Sequence, residues 1–281
     1  MSIIYLNGEY VALEHAKISV LDRGLVLGDG LFETLGAKHG VGEYLKEHYL
    51  RLKNSCEKLK LILPLELEDL SQIIKTLEEK NSFGKAVVRL TITRGVGGKG
   101  LSFPKCIKPT IIINYSPMPT IDPALYSEGV TLIVSSLRIQ AASGYDAGIK
   151  STNYLANIMA KHEADERGAY DALFLGAHEE IAEMTTASFF VVEKGVLKTP
   201  KVSSGILPGI TRMKVIHLAL KLNIPVLEDD IFIRDVEKWE GVFITSSIRG
   251  IMPVRQIESR EIPKSNRIKE LQAEFLKFKA K

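Results

Sequence analysis

The residues best suited to chemistry lie around Lys150, in the segment Gly148-Ile-Lys-Ser-Thr-Asn-Tyr-Leu155. Tyr154 follows this lysine at the predicted start of a helix, and Glu183 lies further along in Glu-Met-Thr-Thr-Ala-Ser. Taken alone, each residue has a simpler interpretation, because most lysines and glutamates are solvated surface charges and a tyrosine on a helix is usually a core aromatic. A lysine amine can nevertheless act as a nucleophile and carry protons at a substrate carbon.

A second segment is suited to binding an anion. Gly205-Ile-Leu-Pro-Gly-Ile-Thr-Arg212 is typical of a loop that enters a helix. At such a helix start, backbone N–H groups and the positive end of the helix dipole together form an anion site. The stretch 22–34 is punctuated by glycines, but Gly28-Asp-Gly30 lacks the third glycine and the strand-loop-helix context of a nucleotide-binding loop. We therefore predict a tight turn that feeds a strand at 31–35.

These segments occur in the same order as in a known family. Together with Asp22-Arg-Gly-Leu-Val-Leu-Gly-Asp-Gly-Leu-Phe-Glu-Thr34 and Glu47-His-Tyr-Leu-Arg-Leu52, they resemble the class IV aminotransferases, which are fold type IV pyridoxal-phosphate enzymes. That family includes branched-chain aminotransferases, D-amino acid aminotransferases and 4-amino-4-deoxychorismate lyases. The resemblance runs from about Tyr5 to Val254 and implies pyridoxal 5'-phosphate as the cofactor.

The resemblance also implies a role for each residue of the site. Lys150 is implied to be the catalytic lysine, which bonds to the cofactor's aldehyde and carries protons at the substrate's Cα. Glu183 is implied to lie beside the pyridine nitrogen, where a carboxylate favours the protonated ring. Tyr154 is implied to hydrogen-bond the phenolic oxygen of the cofactor. The residues implied to contact the phosphate are Arg51, Ile210, Thr211 and Ser247.

The substrate residues resemble more than one branch of the family. The segments 94–102 and 246–254 are closer to the lyases, whereas 150–155 is at least as close to the transaminases. Lys99 stands where the lyases have an arginine, so it keeps the charge but loses the bidentate fork, and Gly36 replaces a basic residue that most relatives carry. The residues implied to face the substrate are Thr34, Arg94, Lys99, Ile248 and Arg249.

We therefore predict a pyridoxal-phosphate-dependent class IV aminotransferase. It would move an amino group between a small amino acid, of branched-chain or D-amino acid type, and a 2-oxo acid. The alternative is 4-amino-4-deoxychorismate lyase, which releases pyruvate and p-aminobenzoate. A third possibility, a catalytically inactive cofactor-binding protein of the same fold, is disfavoured because the lysine and the carboxylate are both present. The resemblance further implies a homodimer.

Composition limits the classes of partner. The formal net charge is only +3 and no block of like charge occurs, so neither nucleic acid nor a membrane is an expected partner. No apolar run is long enough for a membrane-spanning helix. The two cysteines, Cys56 and Cys106, have no metal-ligand spacing, so no metal site is predicted. They are most simply interpreted as reduced thiols of a cytoplasmic protein.

The predicted fold class is α+β, in the two-domain arrangement of fold type IV enzymes. We expect a smaller N-terminal α/β domain at 1–118, a proline-containing linker at 119–123, and a larger C-terminal cofactor-binding domain at 124–281 with a β-barrel-like core. The site is expected between the two domains. Hydrophobic periodicity and flanking signals predict helices at 45–61, 67–81, 152–167, 210–222 and 266–278.

Overall fold

The computed structural model describes residues 2–97, 100–102, 108–138 and 148–279. The chain divides into two compact units. The first comprises Met1–Pro119 and Ile149–Asn153, and the second comprises Thr120–Gly148 and Tyr154–Lys281. The segment Ile149–Asn153 therefore packs with the N-terminal unit, although the sequence places it within the range expected for the C-terminal domain.

The first unit is a six-stranded sheet covered by helices. Its strands, in the spatial order β2-β1-β6-β5-β3-β4, are β1 (Ile3–Leu6), β2 (Glu9–Ala12), β3 (Gly30–Lys38), β4 (Val41–Gly42), β5 (Lys85–Thr93) and β6 (Thr110–Pro117). Its helices are α1 (Arg23–Leu27), α2 (Leu45–Lys58) and α3 (Leu67–Asn81), with a 3-10 turn at Leu13–His15.

The predicted elements of this unit are largely confirmed, because local signals determine them. Asn7 and Gly8 both have positive φ, at 51° and 106°, as the tight turn between β1 and β2 requires. The predicted helix 67–81 matches α3, whose periodic apolar residues Leu70, Ile73, Ile74 and Leu77 are buried. The left-handed residue that ends α3 is Ser82, rather than the predicted Gly84.

The second unit is built on a nine-stranded sheet. Its strands are β7 (Val130–Arg138), β8 (Asp171–Leu175), β9 (Ile181–Met184), β10 (Ser188–Glu193), β11 (Val196–Thr199), β12 (Val226–Glu228), β13 (Gly241–Ser246), β14 (Gly250–Ile257) and β15 (Arg260–Glu261). Their order is β12-β11-β10-β13-β14-β7-β8-β9, and β15 pairs with β14. The helices are α4 (Ala124–Ser127), α5 (Leu155–Glu166), α6 (Ile210–Lys221) and α7 (Asn266–Lys279), with 3-10 turns at Val202–Ser204 and Ile233–Lys238.

Helix α5 differs from its prediction. It begins at Leu155 instead of residue 152, because Tyr154 is its N-cap. The apolar residues that share one predicted face, Leu155, Ile158 and Met159, are 72%, 61% and 48% exposed. The helix packs on the sheet through two small residues, Ala160 and Ala164, which are fully buried.

The structure describes one of the two cysteines. Cys56 lies in the core of the first unit as a free thiol, and burial raises its pKa to about 12. Cys106 lies outside the described residues.

Among the residues that the structure describes, no helix combines the length and the apolar character needed to cross a bilayer.

Candidate active site

Lys150 is held by backbone pairing with the start of β3. The N–H of Phe32 donates to the carbonyl of Lys150 at 3.0 Å, and the N–H of Thr152 donates to the carbonyl of Gly30 at 2.9 Å. The Lys150 Nζ lies 4.5 Å from the centroid of the Phe32 ring. The backbone of Lys150 is therefore fixed and its amine lies against an aromatic ring, although its segment belongs to no helix or strand.

The glycine-rich stretch before β3 positions this segment. The Thr152 hydroxyl donates to the carbonyl of Gly28 at 2.8 Å. Gly28 adopts a φ of 67°, a conformation that favours glycine, and the side-chain oxygen of Asn153 lies only 2.0 Å from where a Cβ on it would be. The predicted turn before a strand is confirmed, with the short helix α1 inside it, and its role in this structure is to hold the lysine segment.

Arg51 is organised by a buried carboxylate that sequence reasoning missed. Its guanidinium donates two hydrogen bonds to Glu33, at 2.8 and 2.7 Å, in a bidentate pair. The Nδ1 of His48, one helical turn before Arg51, lies 2.7 Å from the same carboxylate. Burial alone would raise the pKa of Glu33, but Arg51 and His48 outweigh it and lower that pKa to about 2. The His-x-x-Arg spacing in α2, which puts both side chains on one helix face, was the available signal.

Glu33→Gln is expected to destabilise the protein by about 3–5 kcal/mol at pH 7, because it removes the buried charged acceptor of Arg51 and His48. A carboxyl with a lowered pKa stabilises the fold above its unfolded pKa, near 4.5, and loses that contribution as the pH falls through about 2. Urea unfolding should therefore show the gap between wild type and variant closing between pH 4.5 and 2. Asp235→Asn, at an exposed ion pair with Lys238, is the control and should change stability by less than about 1 kcal/mol. A gap independent of pH would contradict this assignment.

Arg94 takes part in a hydrogen-bond network of the first unit, and its role toward the substrate stays a prediction. Its Nε donates to Asp29 at 2.8 Å, and its two terminal nitrogens donate to the carbonyls of Lys60 and Leu59 just past the end of α2. Asp29 also accepts from Arg23 at 2.8 Å. Burial opposes ionisation of Asp29, but the two arginines prevail and lower its pKa. Lys99, the other cation predicted near the substrate in this segment, lies outside the described residues.

The space beside Gly36 is occupied by an acid, whereas most relatives carry a basic residue at this position. Gly36 and Thr34 lie on the same face of β3, since side chains alternate along a strand. The carboxylate of Glu43 would lie 2.7 Å from a Cβ on Gly36, so it occupies the space that a side chain at position 36 would need. Thr34 is half-buried and stands opposite Arg89 of β5 in the sheet register.

In the second unit, Glu183 is near the end of β9. Its neighbours Ile181, Ala182 and Met184 are buried, whereas Glu183 is half-buried. One carboxylate oxygen accepts a hydrogen bond from the N–H of Leu207 at 3.1 Å. Leu207 comes shortly before α6, so this contact ties the carboxylate to the loop that leads into the helix.

The start of α6 has the features of an anion site. Gly209 is its N-cap and has no side chain to accept from the first N–H groups of the helix. Ile210 and Thr211 follow in the first turn and are buried. A Cβ on Gly209 would lie 2.7 Å from the hydroxyl oxygen of Ser188, so the backbone of the N-cap approaches a polar side chain closely. This donor set suits a phosphate group.

The turn between β13 and β14 presents Ser247, Ile248 and Arg249, all of them half-buried. Its backbone is fixed by the Tyr126 hydroxyl, which donates to the carbonyl of Arg249 at 2.9 Å. The Arg249 guanidinium lies 5.4 Å from the centroid of the Tyr170 ring and donates to the Thr186 hydroxyl at 3.4 Å. Thr186 belongs to the segment just after Glu183, so the turn and that segment are joined through this arginine.

Within each unit, the structure thus brings several predicted residues together. Lys150, Thr34 and Arg51 are anchored on or beside β3 of the first unit. In the second unit, Glu183 is hydrogen-bonded to the loop before α6. Ile210 and Thr211 lie in the first turn of that helix, and Tyr154 is the N-cap of α5. The contributors that sequence reasoning missed are Glu33, His48, Asp29 and Ser188.

Comparison with known proteins places the chain in a family. The model of the family described as amino-transferase class IV matches residues 30–257. A "Putative branched-chain-amino-acid aminotransferase" of Methanocaldococcus jannaschii is 40% identical over 92% of this chain and 89% of its own.

Two solved structures show the same fold. The branched-chain amino acid aminotransferase of Escherichia coli superposes with a TM-score of 0.93 at 27% identity, covering 98% of this chain and 94% of that one. The 4-amino-4-deoxychorismate lyase of Pseudomonas aeruginosa gives a TM-score of 0.86 at 29% identity, covering 96% and 97%. The predicted fold type IV architecture is confirmed. The chain belongs to the class IV aminotransferases, a family of pyridoxal-phosphate enzymes.

Proposed function

We propose that this protein is a pyridoxal-phosphate-dependent aminotransferase that moves an amino group between a small amino acid, of branched-chain or D-amino acid type, and a 2-oxo acid. The observation that carries the proposal is the family match over residues 30–257, a range that contains the lysine, the carboxylate and the helix start described above. The similarity to the M. jannaschii protein supports a branched-chain donor as the first to test.

The residues present fit the cofactor. The start of α6, with a side-chain-free N-cap and the buried Thr211, suits the phosphate. The family resemblance adds Arg51 as a phosphate contact, with its position held by the bidentate pair that it makes with Glu33. Ser247 adds a hydroxyl at the turn after β13. Glu183 offers a carboxylate for the pyridine nitrogen, and Lys150 offers an amine for the aldehyde.

Each of these residues has a task in the proposed reaction. When bound, pyridoxal phosphate supplies an electron-accepting ring that takes up the charge left at the substrate's Cα. Lys150 holds the cofactor and then carries the Cα proton on its Nζ. Glu183 keeps a proton on the ring nitrogen, and Tyr154 orients the phenolic oxygen. Thr34, with the backbone at Ile248 and Arg249, would contact the substrate.

The lyase remains the second candidate, because a solved 4-amino-4-deoxychorismate lyase superposes closely. Arg94 bears on the choice. It opens the segment most similar to the lyases, yet its guanidinium donates to Asp29 and to the end of α2. This observation supports transamination as the first candidate.

A donor and acceptor screen with purified protein distinguishes the possibilities. We expect turnover of branched-chain or D-amino acids with 2-oxoglutarate, and no pyruvate from 4-amino-4-deoxychorismate. Pyruvate release from that compound alone would establish the lyase. A protein that binds the cofactor but turns over none of these substrates would be an inactive carrier, and both enzymatic proposals would fall.

We further propose that the protein works as a homodimer in the cytoplasm, where the reduced thiol of Cys56 would persist. The exposed apolar face of α5, formed by Leu155, Ile158 and Met159, supports the dimer, because contiguous apolar surface is usually covered by a partner. Sedimentation equilibrium should give twice the chain mass of 31.2 kDa, and a monomer across the micromolar range would refute the dimer.

A further inference from the structure

Two buried hydroxyl groups stand side by side on neighbouring strands of the second unit. Ser188 of β10 pairs with Thr245 of β13 in the antiparallel register. They are 6% and 2% exposed. Directly opposite residues in an antiparallel pair project from the same face of the sheet, so the two hydroxyl-bearing side chains are neighbours.

The face that they share is the one covered by α6. Two residues further into the sheet, Phe190 and Phe243 form the next pair on this face, and their rings stack with centroids 4.8 Å apart. Both phenylalanines pack in one cluster with Val215 and Leu218 of α6. Because side chains alternate along a strand, Ser188 and Thr245 project toward α6 as well.

The contact of Ser188 with the N-cap shows where along α6 the pair of hydroxyl groups lies. Its hydroxyl oxygen lies 2.7 Å from where a Cβ on Gly209 would be, at the N-cap of α6. The pair of hydroxyl groups therefore lies beneath the helix start, where the first N–H groups lack partners within the helix.

The hydroxyl oxygen of Thr245 is buried and has no hydrogen-bond partner among the residues that the structure describes. Buried hydroxyl groups in native proteins are almost always hydrogen-bonded, so an orphan of this kind calls for a ligand or a bound water. It lies two residues before Ser247, which the family resemblance implies as a phosphate contact.

We propose that Thr245 is a further phosphate-binding residue, which donates a hydrogen bond to the cofactor phosphate directly or through one bound water. Ser188, opposite Thr245, lies close to the backbone at Gly209, just before the N–H groups of Ile210 and Thr211 that would face the same anion. This inference rests on the proposed function, because it requires a phosphorylated cofactor at the start of α6.

Thr245→Val tests the proposal, because it removes the hydroxyl and keeps the shape. The readouts are equilibrium binding of pyridoxal 5'-phosphate, binding of pyridoxal, which lacks the phosphate, and urea unfolding of the protein without cofactor. We expect affinity for pyridoxal 5'-phosphate to fall roughly 10- to 100-fold, as for a lost hydrogen bond to a charged group. Affinity for pyridoxal should stay within about twofold, and the unfolding midpoint should not fall, because the variant also removes an orphan polar group.

Thr245→Ser is the matched control. It keeps the hydroxyl and should bind pyridoxal 5'-phosphate within about threefold of wild type. If Thr245→Val does not fold, Thr245→Ala takes its place. If Thr245→Val retains the wild-type preference for pyridoxal 5'-phosphate over pyridoxal, the proposal for Thr245 is wrong. If wild type itself shows no such preference, the phosphate site and the proposed function fail together.

Discussion

Lys150→Ala is expected to lower the turnover number for transamination by at least about 10⁴-fold, since one side chain both holds the cofactor and moves the Cα proton. The structure supports a dedicated position for this amine. Its backbone carbonyl accepts from the N–H of Phe32, and its Nζ lies 4.5 Å from the Phe32 ring. Lys150→Arg should fail as well, because a guanidinium keeps the charge near that ring but cannot give up its proton at working pH.

The chemical readout is independent of turnover. Borohydride reduction of the wild-type protein loaded with cofactor, followed by peptide mapping, should place the label on the peptide that contains Lys150. Lys161→Ala is the matched control, because Lys161 is a partly exposed lysine on the following helix and pairs with Asp165 one turn further along that helix. It should retain normal turnover and labelling. A label on another lysine, or a Lys150→Ala variant with residual turnover near wild type, would remove the basis of the proposed function.

The elements of the fold that could be predicted are those determined by local sequence. The turn at Asn7 and Gly8 and the periodic apolar face of α3 each follow from a few adjacent residues. Helix α5 shows where this reasoning fails. Its apolar residues are exposed and its buried contacts are made by two alanines, so the most hydrophobic face is not the one that packs on its own chain.

In the candidate site as well, local segments could be recognised from the sequence, whereas contacts between elements could not. Lys150, Glu183 and the start of α6 could be named as candidates because each lies in a short segment with a recognisable order of residue types. The pairs Glu33–Arg51 and Ser188–Thr245 could not, because they join residues from different elements and depend on strand register and helix placement. Arg94 makes contacts that the resemblance of its segment does not indicate. Its segment resembles one that faces a substrate, yet its guanidinium donates to Asp29 and to the end of α2.

Glu183→Gln is expected to lower turnover on the order of 10²-fold or more, because a neutral amide no longer favours a proton on the cofactor's ring nitrogen. The substitution isolates charge from packing. Glutamine has nearly the same shape, and its amide oxygen can still accept the hydrogen bond that Glu183 receives from the N–H of Leu207 at 3.1 Å. The loop before α6 should therefore keep its place, and urea unfolding of the protein without cofactor should change by less than about 1 kcal/mol.

The pH dependence distinguishes this role from a structural one. With glutamine at position 183 the ring nitrogen has a lower pKa, so a larger fraction becomes protonated as the pH falls. The ratio of variant to wild-type turnover should therefore rise toward acidic pH, whereas a packing defect would leave the ratio flat. Glu183→Asp retains the charge one methylene further back and should lose less turnover than Glu183→Gln, with no rise in its ratio to wild type at acidic pH. If the aspartate variant proved the worse of the two at every pH, the position of the carboxylate rather than its charge would control the reaction, and the role assigned to Glu183 would be wrong.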